Sequence, residues 1–208
     1  LNASMNRHFI FNALNSIQFY INTQDKRSAN KYLSSFAKLI RKNLDSSTEN
    51  NNLVPLDEEL ERLKLYLELE KMRFDDKFTY EIENDELFTD DYLVPAMLLQ
   101  PFVENSILHG ILPSDKKGKI TISILDFPNH IEIRIKDNGV GIKQSLQNKS
   151  ITTDAHKSKG MEISSKRIDL LRKLYDKNFE LIGPYQTTDE NGLISGTTVL
   201  IKIPKENM

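Results

Sequence analysis

Two stretches of this chain carry residue types that could do chemistry together. Ile131-Glu132-Ile133-Arg134-Ile135 alternates apolar and polar residues, the mark of a strand with one buried face, and it runs into Asp137-Asn138-Gly139-Val140-Gly141. An acid therefore sits at a strand end, beside glycines that let the backbone take positive φ and let a ligand approach with no Cβ in the way. A carboxylate only accepts hydrogen bonds, so it suits a ligand with an exocyclic amine on a bulky ring, as in adenine. Asp-Asn-Gly is also ordinary turn chemistry, and the residues alone leave a simple strand-to-loop turn open.

The second stretch is at the other end. Residues 1 to about 23 lack Gly and Pro and place Ile10, Leu14, Ile17 and Ile21 at helical spacing, predicting a helix with a narrow apolar stripe. At about 100° per residue, His8, Asn12, Asn15 and Phe19 fall on a separate face, and His8 is turned from the stripe by on the order of 160°. A structural histidine belongs on the packed face; one turned away from it is a competent nucleophile near neutral pH. Asn12, one turn on, could orient the imidazole.

The elements that must position these groups follow from pattern. After a break at Thr23-Gln24-Asp25, with Asp25 or Ser28 as N-cap, a second helix runs to about Asp45 and carries Tyr32, Leu33, Phe36, Leu39, Ile40 and Leu44. Two helices joined by a short turn cannot bury both stripes, whereas pairing with a second copy into a four-helix bundle would. The polar, asparagine-rich run 46–52 reads as a linker. A third helix is expected from near Asp57 to about Phe74, behind Pro55 and with acids in its first turn, followed by a strand at Phe78 to Glu83.

Pro95 to Gly110 is expected to form a mostly buried helix that nonetheless carries Gln100, Glu104, Asn105 and His109. Asn105 and His109 are one turn apart; facing a phosphate chain and its metal would give these polar groups partners, and facing solvent is the alternative. Lys119 to Leu125 and His130 to Lys136 read as a hairpin around Phe127-Pro128-Asn129. The run from Lys143 to Lys159 is polar and aperiodic, and a loop of that length is usually functional or disordered. Gly160-Met161 opens a further helix whose free N–H groups could meet phosphate. Phe179 to Gly183 and Thr197 to Ile203 read as strands separated by a turn-rich segment from Pro184 to Gly196.

Composition bounds the partners. The 208 residues, 38% of them hydrophobic, suffice for one large or two small cores. With 28 basic and 30 acidic residues the net charge is −2, which offers no broad field for nucleic acid. The absence of cysteine removes disulfides, thiolate zinc sites and cysteine nucleophiles and is compatible with a reducing cytosol. No apolar run reaches membrane-spanning length. The chain starts at Leu1 rather than Met, so it is expected to be an excised piece with a membrane or sensor segment upstream.

Asn105, the Asp137 to Gly141 box, Gly160 and Gly196-Thr197 occur in the order of the ATP-binding domain shared by histidine kinases, DNA gyrase, Hsp90 and MutL. Met5-Asn6-Arg7-His8-Phe9-Ile10-Phe11-Asn12 resembles the phosphoacceptor motif of LytS-type sensor histidine kinases, and Pro95 to Asn105 with His109-Gly110 resembles the same family's asparagine box. The resemblance covers nearly the whole chain. It implies an α+β fold: a two-helix hairpin at 1–50 that dimerises as a four-helix bundle and carries the phosphoacceptor, then a Bergerat-type α/β sandwich at 51–208 that binds ATP. It implies that His8 accepts the γ-phosphoryl group, that Asn105 helps hold Mg²⁺, that Asp137 accepts from the adenine amine, that Gly139 and Gly141 shape the pocket, that Gly160 anchors a lid, and that Thr197 backs the acid. His109 and Met161 go with these as nucleotide-site residues, and Lys157 and Lys159 are candidates for phosphate contact from charge alone. A homodimer, a response-regulator partner and a cytoplasmic position in an inner-membrane sensor protein are implied with it.

Three residues depart from the family pattern: Arg7 replaces a proline before the histidine, Ser158 leaves one glycine of a usual pair, and Leu108 replaces a frequent lysine. Two other functions share the fold, an ATP-hydrolysing clamp and a dimeric scaffold that holds nucleotide weakly or not at all. The clamp places a glutamate four residues before the asparagine to activate water, and here Pro101 stands there.

Overall fold

The computed structural model describes residues 7–45, 53–84, 92–142 and 179–205. The chain forms two compact units, Leu1–Asp76 with Phe88–Leu98 and Lys77–Leu87 with Leu99–Met208.

The first unit is built on three helices, α1 (Arg7–Asn22), α2 (Lys26–Asp45) and α3 (Leu56–Arg73), and a short antiparallel ladder of β1 (Leu53–Pro55) with β3 (Leu93–Pro95). Asp25 caps α2: its Oδ1 accepts the backbone N–H of Ser28 at 3.0 Å, satisfying one of the donors that a helix start leaves open. Helix α3 begins behind Pro55 with Asp57, Glu58 and Glu59 in its first turn and ends on Lys71 and Arg73, charges that suit the helix dipole at both ends. It is enclosed on several sides, and its buried polar residues are paired: Arg62 with Glu59 at 3.0 Å and Arg73 with Glu70 at 3.0 Å.

Helix α1 seals a different set of residues from the expected stripe. Phe9 and Ala13 are buried, whereas Leu14 and Ile21 are exposed and Ile10 and Ile17 are half-buried. The reason is aromatic: the Phe9 ring lies 5.4 Å from Tyr66 of α3 and 6.0 Å from Phe36 of α2, and such tilted ring pairs add to ordinary area burial. Tyr20 completes this side by donating its hydroxyl to the Met72 carbonyl at 2.8 Å. The aliphatic stripe is left over. In α2 Tyr32 and Leu39 are buried, but Leu33 and Leu44 are exposed.

The second unit is a five-stranded sheet in the order β2-β4-β5-β7-β6, from β2 (Phe78–Asn84), β4 (Gly118–Asp126), β5 (His130–Asp137), β6 (Glu180–Thr188) and β7 (Ile194–Pro204). β2 runs parallel to β4 and the other neighbours pair antiparallel. Alternation places Ile131, Ile133 and Ile135 of β5 on one face with Ile122 and Ile124 of β4 and Ile201 and Val199 of β7, all buried. Asp137 is next in that sequence of inward positions.

The segment expected as one helix over 95–110 is more divided. Pro95 ends β3, Met97 turns through a left-handed φ of 61°, α4 covers Gln100–Asn105, and Ser106–Ile111 continues it as a π-helix. The turn-rich segment from Pro184 to Gly196 is also corrected: β6 runs on to Thr188 and β7 starts at Ile194, so only the stretch around Asp189 to Leu193 turns. Pro184 is tolerated because β6 is an edge strand, and the register shifts between Ile182 and Tyr185 around it.

Candidate functional site

The strand-end acid is almost sealed, at 2% exposure, and three donors converge on its carboxylate. The Gly139 N–H donates to Oδ1 at 2.9 Å, the Ser106 hydroxyl donates from the π-helix, and the Thr197 N–H donates from β7, whose Thr197 is the register partner of Asp137. Burial pushes the Asp137 carboxyl above the usual aspartate range, and these three hydrogen bonds pull in the other direction without winning. An ionised carboxylate offers about four acceptor positions, so these three donors, the ones found among the described residues, leave room for one more. An exocyclic amine is a donor of that kind.

Glycines bring the chain this close. A Cβ on Gly139 would lie 2.3 Å from the Gly110 carbonyl carbon, and one on Gly110 would lie 2.9 Å from Asp137 Oδ1. The Val140 N–H then donates to the Gly110 carbonyl at 2.9 Å. The π-helix is thus laid directly on the Asp137 box, glycine against glycine. Gly141, at a φ of 77°, abuts the β6–β7 hairpin, where a Cβ would meet Ile194 Cγ2 at 2.5 Å. Asn138 faces the other way. Its side chain accepts the Lys119 N–H at 2.6 Å and donates to the Lys117 carbonyl at 3.2 Å, clamping the start of β4.

Asn105 closes α4 and His109 lies one step further into the π-helix, both half-buried. The Leu112 N–H reaches back to the Ile107 carbonyl at 2.9 Å, five residues earlier, which is the hydrogen bond of a π turn rather than of a regular helix. Such π turns are frequent at functional sites. The structure therefore gathers Asp137, Gly139, Gly141 and Thr197 with the helix that bears Asn105 and His109.

The chain is similar to known proteins. Residues 91–207 match the family described as histidine kinase-, DNA gyrase B- and HSP90-like ATPase, and residues 1–78 match the family described as histidine kinase. The chain belongs to the histidine kinase family. The sensor protein LytS of Oceanobacillus iheyensis is 39% identical over 146 residues, 70% of this chain and 24% of its own length. The LytS of Bacillus cereus is 30% identical over 211 residues, 99% of this chain and 33% of its own. The chain spans about a quarter to a third of the length of these curated relatives. Among solved structures, the catalytic domain of histidine kinase ThkA superposes with a TM-score of 0.48 at 18% identity, over 74% of this chain and 94% of that one.

The remaining expected residues lie in other segments of the chain. His8 is in the first turn of α1, in the helical unit, and its side chain falls outside the described residues. Asn12 follows one turn on, half-buried, with its backbone carbonyl accepting the Ser16 hydroxyl at 3.0 Å. Lys157, Lys159, Gly160 and Met161 lie outside the described residues. Among the described residues no group of three or more His, Cys, Asp or Glu side chains could hold a metal ion. A hard, oxygen-seeking cation such as Mg²⁺ commonly takes only one or two protein oxygens and completes its shell with substrate phosphates and water, which the Asn105 carboxamide fits.

Ser106 belongs to no motif in the sequence, although it supplies the side-chain hydrogen bond to Asp137. Its place next to Asn105 is the available signal. The packing roles of Gly110 and Gly196 emerge only in three dimensions: a Cβ on Gly196 would lie 1.8 Å from the Asp137 carbonyl oxygen.

Proposed function

We propose that this chain is the kinase core of a two-component sensor: ATP bound beside Asp137 phosphorylates His8, and the phosphoryl group then passes to an aspartate of a response regulator. The observation that carries the reading is the buried Asp137 carboxylate, held by Gly139, Ser106 and Thr197 with an acceptor position to spare and packed against the helix that bears Asn105. Membership of the histidine kinase family supports the rest.

In this reading the first fifty residues form the dimerisation and phosphoacceptor region and 51–208 the ATP-binding region. Asp137, backed by Thr197, orients the purine, while Gly139 and Gly141 keep the box open to it. Asn105 and His109 face the phosphates with Mg²⁺, which lowers their charge, and Lys157, Lys159, Gly160 and Met161 form the lid. Phosphoryl transfer needs an in-line nucleophile and neutralised charge more than covalent help. An imidazole nitrogen of His8 attacks the γ-phosphorus, the bond to the β,γ-bridging oxygen breaks, ADP leaves, and the ring proton passes to solvent; Asn12 orients the ring. The phosphoramidate then yields its phosphoryl group to a carboxylate oxygen of the regulator as the P–N bond breaks, and the ring nitrogen takes a proton back from solvent, regenerating neutral imidazole.

Two copies pair through Leu14, Ile21, Leu33 and Leu44, aliphatic residues that one chain leaves exposed. No helix among the described residues is long and apolar enough to cross a membrane. The chain is read as the cytoplasmic portion of an inner-membrane sensor whose anchoring segment lies upstream.

Incubation with γ-labelled ATP and Mg²⁺ tests the assignment. The expected result is label that survives base and not acid, as a phosphoramidate does, and that disappears in the His8→Ala variant. Equal label on that variant sinks the proposal.

A further inference from the structure

Helix α3 carries a buried ion pair with an unusual set of contacts. Glu59 and Arg62 are 1% and 2% exposed, and Arg62 Nη1 donates to Glu59 Oε2 at 3.0 Å. The same Oε2 accepts the backbone N–H of Met97 at 2.8 Å. On the other side, Arg62 Nη2 donates to the Lys42 carbonyl in the last turn of α2 at 3.3 Å. The pair thus ties the end of one helix to a turn far along the chain.

Stability alone does not account for it. Desolvating both charges costs several kcal/mol per ion, and well-packed apolar residues of similar volume commonly do as well or better in such places. What an apolar pair cannot do is satisfy the Met97 N–H. Met97 sits in the left-handed region at a φ of 61°, a conformation that a non-glycine residue keeps only where its surroundings impose it. The turn comes three residues ahead of Gln100, where α4 begins, and α4 ends on Asn105. The Met97 side chain is itself buried, so two anchors hold the turn: its thioether in the core and its amide on Glu59.

We infer that Glu59 and Arg62 are positioning residues that fix the left-handed turn at Met97 and with it the start of the helix leading to Asn105, so that nucleotide affinity depends on this buried pair in α3. The inference rests on reading Asn105 as a nucleotide-site residue. Glu59 acts through the Met97 amide, and Arg62 acts by holding the Glu59 carboxylate while its second nitrogen is fixed by α2.

The double variant Glu59→Leu/Arg62→Met separates positioning from stability, because it removes both charges together and leaves no buried ion alone. Three quantities are compared with the unaltered chain: the melting temperature, hydrogen exchange at the Met97 amide, and the dissociation constant for ATP with Mg²⁺ by calorimetry. The expected result is an unchanged or higher melting temperature, faster exchange at Met97, and ATP binding weakened about tenfold. Glu59→Gln serves as the second variant, since its carboxamide oxygen still accepts the Met97 N–H while its charge is gone. It is expected to melt lower and yet bind ATP to within about twofold of the unaltered chain. A folded double variant with unchanged exchange at Met97, or with full ATP affinity, overturns the inference, as does a Glu59→Gln chain that is stable but binds weakly. An unaltered chain that binds no ATP refutes the nucleotide-site reading instead, and the Met97 exchange rates still judge the pair.

Discussion

The inner face of the sheet and the α1–α2 hairpin treat their aliphatic residues differently. Ile122, Ile124, Ile131 and Ile133 are fully sealed, and the burial continues to Asp137, where a Cβ on Gly139 or Gly196 would run into backbone. In the hairpin, Leu14 and Ile21 remain 52% and 62% exposed although they lie at core spacing. The sheet finishes its core within one chain, whereas the hairpin packs Phe9 and Tyr20 on α3 and leaves an aliphatic stripe, together with Phe11 and Phe19, uncovered. A close-packed region fixes the geometry of a buried acid; a half-packed one is suited to association, which is the role proposed for it.

The comparison breaks first if the Asp137 region proves tolerant. Gly196→Ala would place a Cβ on the Asp137 carbonyl and force an L side chain to a φ of 133°. Backbone strain of roughly 1–3 kcal/mol and overpacking of roughly 1–3 kcal/mol combine to an expected loss of about 4 kcal/mol in denaturant unfolding. A loss below about 1 kcal/mol would mean that the β5–β7 contact is slack and that Asp137 is not held as described.

The same contrast decides what can be read in the sequence. Strands β4 and β5 are legible because half-buried strands alternate, and Asp137 is legible as the acid that ends one. Asp25 announces α2 because a capping side chain is a local device. The buried face of α1 is not legible: period gives the apolar positions, but Phe36 and Tyr66, distant in sequence, decide that Phe9 rather than Leu14 is sealed. β1 and β3 are three residues long, too short to show a period. In β6 the signals of Gly183 and Pro184 point to a turn because local punctuation cannot tell that the strand is an edge. The crossing of Gly110 on Gly139 and the hydroxyl of Ser106 are contacts between segments distant in sequence, and no local pattern encodes them.

Within α2 alone the two kinds of packing can be set side by side. Leu39 is fully buried and Leu33 is half exposed, on the same helix. Leu39→Ala is expected to cost roughly 3 kcal/mol in unfolding free energy. Leu33→Ala should cost under about 0.5 kcal/mol in a dilute, monomeric sample. If the hairpin is the dimer surface, Leu33→Ala should instead weaken self-association by about tenfold, measured by sedimentation. Equal self-association of the two forms would show that the exposed stripe serves something other than a second copy.

The smallest expected effect sets two aspartates against each other. Burial raises the carboxyl of Asp137 above its ordinary value of 3.8, whereas the Ser28 N–H at the α2 cap lowers that of exposed Asp25 below it. Asp137 binds its proton more tightly in the folded chain, so its contribution to stability is fully present below 3.8 and is lost as pH rises through the raised value. Asp25 binds its proton less tightly when folded, so its contribution is present above 3.8 and is lost as pH falls through the lowered value. Asn is close in shape to Asp and also caps helices, so Asp25→Asn and Asp137→Asn each remove the titration. In Asp137→Asn the donors left facing the new side-chain amide lower stability by an amount that does not vary with pH, and so offset the difference curve without tilting it. Measured against the unaltered chain, the stability of Asp137→Asn should gain as pH rises from below 3.8 toward neutrality, and that of Asp25→Asn should gain as pH falls over the acid end of the same range. Two difference curves sloping in the same direction would mean that Asp137 is held by its three donors rather than opposed by burial, and that the sheet is no drier at this point than the helix cap.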